Sequence, residues 1–480
     1  MRTIIVLLAF IVPIIPLKAQ WVQQNIPSNS GLILSIDFAN SLNGCTGGWV
    51  GDPIGTNVIG RSFYKSSSNV WSQGLLPDST RAIVNLKYTD GVFYGSGAYN
   101  ITSDENKSVS LPIFLPEYLK ERFYRLGMSD VRGSNYGAYF IKSTNNGVSW
   151  FPFGEVLSGF EYVISMDFAT ANTGYLCAER SYLKGTILKT TNGGSNWVEQ
   201  PLPDSVYINE IEFIDNETGF AAGFRVVDFV LQAVVYNTTN GGITWQEKLF
   251  PDVNNFSGVS FISQSTGFLI GIGQFSFSTL ILKTTNGGIN WTQINTIQNL
   301  LPEGIEFLSS GYGIYYGENG SSSIKNILIG STSNNGLTWQ LDSIDYTDLI
   351  TGAKMLDPSN WYVAGGFPWG DAVVFHTTTG GSVFIEPIGS EVPSSYSLEQ
   401  NYPNPFNPST RIRFSIPVSS ETSLKVYDIM GREVAKLVDQ KLSAGNYEVE
   451  FSGENLNTGI YFYRFVSAGK NFVKKMILVK

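Results

Sequence analysis

Five times in this chain a segment of the form Thr/Ser-x-Asn-x-Gly-x-x-Trp returns, and its tryptophans, Trp150, Trp197, Trp245, Trp291 and Trp339, stand 46 to 48 residues apart. Such a period, carried by short alternating apolar and polar runs, constrains the chain to repeated β units that stack or radiate, because one unit cannot bury its apolar face alone. The composition suits that reading. Aromatic residues make up 14% and there are 50 glycines, which fits many short strands joined by tight turns.

The repeated turn has a local rationale. Asn and Gly tolerate positive φ, so Asn192 with Gly194, and Gly242, Gly288 and Gly336 in the other copies, allow a tight hairpin. The Thr hydroxyl and Asn amide can hydrogen-bond backbone groups inside the turn. The tryptophan that follows can fold over it and bury a large apolar area. A second landmark is an apolar-x-aromatic step followed by a turn and a small apolar strand. It appears as Ile36-Asp37-Phe38, Met166-Asp167-Phe168, Ile211-Glu212-Phe213, Val259-Ser260-Phe261, Ile305-Glu306-Phe307 and, degenerately, Ala353-Lys354-Met355. The two landmarks count seven units of four strands, centred on 35–71, 84–150, 164–197, 211–245, 259–291, 305–339 and 353–384. The last turn, Thr379–Phe384, has Phe in place of Trp. Trp21-Val22-Gln23-Gln24 matches Trp197-Val198-Glu199-Gln200, a final strand with no unit before it. It is expected to join the seventh unit and close a ring, removing the open sheet edge.

The turn resembles the Asp-box of bacterial neuraminidase repeats, with Asn where the box usually has Asp. With the second landmark, residues 21–387 are similar to the propellers of the photosystem II assembly-factor family and the sortilin-like group. The resemblance implies a β-propeller and leaves function open, since such boxes occur in enzymes and binding proteins alike.

Residues 1–19 have the charge, apolar run and small terminal residue of a signal peptide cleaved before Gln20, and no membrane span is expected after its removal. The second unit carries an insertion at about 100–132, either a recognition element or a lid over the ring. Residues 388–396 read as a linker. From 397 to 480 the style changes: proline-punctuated entry, short strands, and eleven Lys+Arg against eight Asp+Glu in a chain of net charge −9. The spacing predicts a small immunoglobulin-like β-sandwich. Asn401, Pro403, Asn404, Pro405, Phe406, Asn407 and Pro408, then Gly431, Gly459, Tyr461, and finally Lys474 and Lys475 before the last apolar strand carry a close resemblance to the type A C-terminal sorting domain of the type IX (Por) secretion system. It implies a Bacteroidetes-type envelope, passage through the outer membrane by the secretion machinery, and release or surface attachment.

Catalytic chemistry is not evident. The only histidine, His376, rules against a His-built metal cage and reads as a core residue. Cys45, placed in a turn insertion, and Cys177, in a second strand, are expected as free thiols, and no cofactor is expected. A sialidase needs three arginines on a carboxylate and a Tyr–Glu pair, and the arginines recur at no equivalent position. Asp37, Asp167, Glu212 and Glu306 share one repeat position on the innermost strand. They read either as an acidic channel site for a cation or as solvated positions in an acidic protein. Asp78-Ser79-Thr80, Asp204-Ser205-Val206 and Asp342-Ser343-Ile344 resemble bacterial O-glycosylation sequons and read equally as Asp-Ser turns in inter-unit loops. The expectation is an all-β, seven-bladed propeller followed by a sandwich. It is secreted or surface-exposed and monomeric, binds a protein or glycan ligand, and does not bind nucleic acid. A secreted glycan hydrolase and an envelope assembly factor are the alternatives.

Overall fold

The computed structural model describes residues 21–378 and 392–479, apart from 52–57, 68–69, 79, 103–134, 158–161, 180–184, 201, 204–205, 229, 275–277, 321–325, 345–348, 408 and 454–455. The expected signal peptide, nearly all of the second-unit insertion and the Thr379–Phe384 turn therefore lie outside the described residues. The chain divides into two compact units, Gln20–Gly381 and one containing Ser382–Lys480.

The first unit is a β-propeller of seven blades of four antiparallel strands; five blades are separate sheets in sequence order, and blades 7 and 1 join in one eight-stranded sheet through Leu32↔Gly366. Blade 1 begins with Leu32–Asn40, blade 2 with Thr80–Thr89, blade 3 with Tyr162–Phe168 and blade 4 with Val206–Phe213. Blade 5 begins with Val253–Phe261, blade 6 with Leu300–Phe307 and blade 7 with Leu349–Met355. Each first strand lies against the first strands of the neighbouring blades, and that of blade 7 meets that of blade 1, so the ring is closed. The closing strand is Val22–Gln23, which pairs with Ala372–Thr377 in blade 7 through Val22↔His376 and Gln23↔Phe375.

The repeated turn folds identically in five blades. In blade 3 the Thr190 hydroxyl donates to Asn192 Oδ1 at 2.9 Å and accepts the Gly194 N–H at 2.9 Å, while Asn192 Oδ1 also accepts Asn196 N–H at 3.0 Å. The same bonds join Ser143, Asn145, Gly147 and Ser149, and their counterparts after Thr238, Thr284 and Thr332. Gly194, Gly242, Gly288 and Gly336 have φ between +74° and +88°, where a side chain would be strained.

Packing extends beyond closure of a single blade. In blades 1 and 3 to 6 the landmark phenylalanine lies edge-on to that blade's tryptophan and packs its face on an aromatic ring of the blade before, tilted in blade 1 and stacked in the others. Phe213 stacks on Tyr175 at 3.4 Å and meets Trp245 at 5.9 Å. Phe261 does the same with Phe220 at 3.7 Å and Trp291 at 5.9 Å, and Phe307 with Phe268 at 3.6 Å and Trp339 at 5.7 Å. Phe38 closes the series against Tyr362 of blade 7. In the same five blades a glycine at or next to the start of the second strand makes room for this ring: a Cβ on Gly44, Gly174, Gly219, Gly267 or Gly313 would lie 2.3–2.6 Å from it.

Two expectations are corrected. Cys45 is not in a turn insertion. It lies within the strand Asn43–Val50 and is fully buried, and burial, then Asp37, pushes its thiol well above the ordinary range, so it is no reactive site. Asp342-Ser343 is not in a loop either, but in the fourth strand of blade 6, Gln340–Ile344, where Asp342 is buried and accepts the Trp21 indole N–H. Cys177 is buried in a second strand, as expected.

The C-terminal unit has two antiparallel sheets, one of three strands and one of four. Ile412, Phe414 and Tyr447 of the first share a core with Leu424, Tyr463, Phe465 and Met476 of the second. The sandwich expectation holds, with Glu433–Leu442 as a further strand.

Candidate functional site

The axial side of the first strands is built by one repeated irregularity. Every first strand breaks register against its second strand at the same point: between Ile33 and Ser35, Ile83 and Asn85, Val163 and Ser165, Ile208 and Glu210, Phe256 and Gly258, Pro302 and Gly304, and Ile350 and Gly352. A bulge leaves its extra residue unpaired and re-aims the side chain. The seven extra residues, Leu34, Val84, Ile164, Asn209, Ser257, Glu303 and Thr351, all line a central cavity of about 370 Å³. Blades 1 to 3 thus contribute an apolar arc and blades 4 to 7 a polar one.

Three residues further along the same strands the four acidic residues singled out from the sequence do converge on this cavity. Their main partners are neighbouring blades. Asp37 Oδ2 accepts the Tyr88 N–H at 2.7 Å, Asp167 Oδ2 the Phe213 N–H at 2.7 Å, Glu212 Oε2 the Phe261 N–H at 2.8 Å, and Glu306 Oε2 the Met355 N–H at 2.8 Å. Ser260 Oγ accepts the Phe307 N–H at 3.0 Å in the same way. Five blades thus hold the landmark backbone of the next through one side chain. The remaining two use lysine. Lys87 reaches Asp167 at 2.5 Å, and Lys354 bridges Glu306 at 3.0 Å and Asp37 at 3.6 Å, linking blade 7 to blade 1. The bonds are charge-assisted or amide-to-oxygen and close a ring of seven stitches.

Sequence reasoning missed Lys87, although Leu86-Lys87-Tyr88 has the apolar-x-aromatic form; the insertion later in that blade obscures its register. It also missed Glu210, Asn209, Ser257 and Glu303, because the bulge shifts which residues face the axis and no residue type marks it in all seven blades.

The charges are unequally matched. Six carboxylates (Asp37, Asp167, Glu210, Glu212, Glu303 and Glu306) and three cations (Arg81, Lys87 and Lys354) line the cavity. Glu306 beside it raises the Lys354 ammonium above its ordinary value against the effect of burial, and Lys87, which burial alone would lower, is likewise raised by Asp167. Burial pushes Glu210 up to about 8, opposed by its bond from the Val259 N–H at 2.9 Å. Burial, then Asp167 and Glu210, push Glu212 well above the usual carboxylate range. His376 lies away from this site, stacked on Tyr362 at 4.1 Å, with burial and then Lys65 lowering it to about 4. Among the described residues no group of three or more His, Cys, Asp or Glu is placed to hold a metal ion.

In the C-terminal unit the proline-punctuated motif covers the outer edge of the final strand, Lys470–Leu478. The Phe406 N–H donates to Ile477 O at 2.9 Å, the Val479 N–H to Phe406 O at 3.0 Å, and the Ile477 N–H to Asn404 Oδ1 at 2.9 Å. Asn401 Nδ2 donates to Pro403 O and to Thr410 Oγ1, both at 3.0 Å, and the Tyr463 hydroxyl accepts the Asn401 N–H at 2.8 Å. Phe406 is buried, while Pro403, Pro405 and Asn407 are exposed, and Pro408 lies outside the described residues. Gly431 takes φ +75° in a turn held by Asp428, Gly459 opens the strand Gly459–Ser467, and the Tyr461 hydroxyl donates to Asn457 O at 2.7 Å. Lys474 is half-buried and Lys475 exposed, as alternation on a strand requires.

Residues 400–480 match the family model described as the secretion system C-terminal sorting domain. The C-terminal unit is a Por sorting domain. The propeller it accompanies is accordingly secreted through the type IX system of a Bacteroidetes-type Gram-negative cell, to the surface or beyond. Among the described residues no helix is long and apolar enough to cross a membrane. No curated protein sequence is significantly similar to the chain. Solved structures with a similar course include YCF48 bound to D1 peptide, at 14% identity and TM-score 0.38, over 76% of this chain and 83% of that one. A Niastella koreensis GH74 enzyme aligns at 11% identity and TM-score 0.43, over 93% and 66%. A PL25 ulvan lyase bound to its saccharide aligns at 10% identity and TM-score 0.46, over 75% and 97%. Neither a ligand nor an activity carries over from them to this chain.

Proposed function

We propose that this protein is an exported binding module: the sorting domain takes it out of the cell and the propeller offers its axial cavity to a ligand. The observation that carries the reading is the bulge repeated in all seven first strands, which turns one side chain per blade into a single cavity. Bulges weaken pairing locally, so their recurrence at one level, next to a lining that is apolar on one arc and polar on the other, favours ligand contact over sheet stability. The reading includes removal of residues 1–19 and a separable tail after the linker at 388–396.

Methyl NMR of Leu34, Val84 and Ile164 in the full chain, titrated with small amines, carboxylates and oligosaccharides, tests it. Saturable shifts confined to the cavity methyls are expected with at least one class. Flat spectra with every class would overturn the binding reading. Sequencing the ends of the exported protein checks the processing, with Gln20 expected first.

A further inference from the structure

We infer that the axial cavity takes a primary alkylammonium group, its charge between Glu210 and Glu212 and its methylenes along the arc of Leu34, Val84 and Ile164. The inference rests on the cavity being a ligand site and names the chemistry that fits it.

Three observations converge. The first is charge. Lys87 is spent on Asp167, and Lys354 on Glu306 and Asp37. Glu210 and Glu212 have no ion pair among the described residues. They stand two apart on one strand, beyond the bulge, so both side chains leave the same face toward the axis. Each uses one oxygen, Oε2, to hold a blade 5 N–H, of Val259 and Phe261 respectively. The other oxygen of each is left for a donor.

The second is an unpartnered hydroxyl. Ser257 is the bulge residue of blade 5, the blade facing Glu210 and Glu212. It lines the cavity, is only 6% exposed, and its Oγ has no hydrogen-bond partner. A buried hydroxyl without a partner is unfavourable unless something occupies the space beside it. In its present rotamer this oxygen is closed off by protein atoms; turned toward the cavity it would give a third acceptor beside the two free carboxylate oxygens, and an ammonium has three N–H donors to give.

The third is the apolar arc. A small hydrated cation would gain nothing from Leu34, Val84 and Ile164, whereas the stem of an alkylammonium buries there while its head stays with the carboxylates. A planar guanidinium pairs best as a fork on both oxygens of one carboxylate, and here each carboxylate already has one oxygen engaged, which favours the compact ammonium. The cavity of about 370 Å³ holds a short amine or the side chain of a lysine entering from outside. Burial pushes Glu210 up to about 8, so in the empty cavity it holds its proton at neutral pH, and an ammonium bound beside it displaces that proton to solvent.

The test is a titration of the full-length protein with pentane-1,5-diamine, an N-acetylated lysine methylamide, a peptide with one internal lysine, pentan-1-ol and pentanoate. It is followed by methyl NMR of the arc and by calorimetry. Both amine sources are expected to shift the three methyls. A peptide binding at least tenfold tighter than the diamine identifies a protein partner, and the reverse a free amine. E210Q/E212Q, whose amide oxygens can still accept the Val259 and Phe261 N–H groups, is expected to weaken amine binding tenfold or more. Should that variant not fold, S257A, which removes no existing bond, is expected to weaken it about threefold. Pentan-1-ol or pentanoate binding as well as the amines, or amine binding unchanged in the variants, would overturn the ammonium assignment while leaving a ligand cavity. No binding by any probe would overturn both readings.

Discussion

Replacing Gly267 by alanine isolates the aromatic seat between blades. Gly267 opens the second strand of blade 5, and its φ is not in the left-handed region, so alanine suits the backbone. The difficulty is space. The added Cβ would lie 2.5 Å from three atoms of the Phe261 ring, about 1 Å inside ordinary contact. Phe261 has no room to retreat: it stacks on Phe220 of blade 4 at 3.7 Å and meets Trp291 at 5.9 Å, and its own N–H is held by Glu212. Overpacking a filled core destabilises by about 1–3 kcal/mol, and a ring pinned on three sides belongs at the upper end, about 3 kcal/mol. Gly370 is the control, since its nearest neighbour to a Cβ is 3.7 Å away and its φ is also ordinary; G370A is expected within about 0.5 kcal/mol of the parent. Urea unfolding followed by tryptophan fluorescence gives both differences, provided the midpoint moves without a change in slope. F261L removes ring atoms, so the double variant F261L/G267A should show a coupling of about 1–2 kcal/mol, with alanine tolerated better beside leucine. If G267A unfolds with G370A, or if the two changes at 261 and 267 simply add, the ring does not occupy the glycine's space and the account of blade packing fails.

Three further perturbations follow from the same contacts. T190V leaves the buried Gly194 N–H and Asn192 Oδ1 without their shared hydroxyl and should lower stability by about 1–2 kcal/mol, read in the same urea assay, while T190S restores most of it. K87M strands Asp167, which is 6% exposed, and should cost about 2 kcal/mol, with K87M/D167N recovering at least half; equal loss in the double variant would show that the ion pair does not matter. Glu210 is raised in the folded state to about 8 from an ordinary 4.5, so its contribution to stability is complete below pH 4.5 and is lost as pH rises through 8. The loss is at most about 5 kcal/mol, reduced by solvent reaching the cavity. E210Q should flatten the decline of stability between pH 5 and 8, and an unchanged pH profile would refute the assigned burial.

The sequence by itself determined the blades. The turn bonds join residues two and four apart, so Thr190, Asn192, Gly194 and Trp197 carry their whole geometry within one window, and each copy marks one hairpin. The sorting domain was legible for a related reason, since its motif residues occur in order along one segment. Even ring closure could be read, because Trp21–Gln24 repeats a strand that lacked its unit. The tertiary structure decided the axis. Asp37, Asp167, Glu212 and Glu306 were visible as a column of acids, yet their partners are backbone groups 46 to 51 residues away in the next blade. Nothing local distinguishes such a stitch from a solvated carboxylate. The cavity was hidden more deeply. A bulge inserts one residue and exchanges the faces of everything beyond it, so simple alternation along the first strands could not say that Ser257 and Glu210 share a cavity with Val84 and Ile164. Only closing seven bulged strands around one axis brings them together.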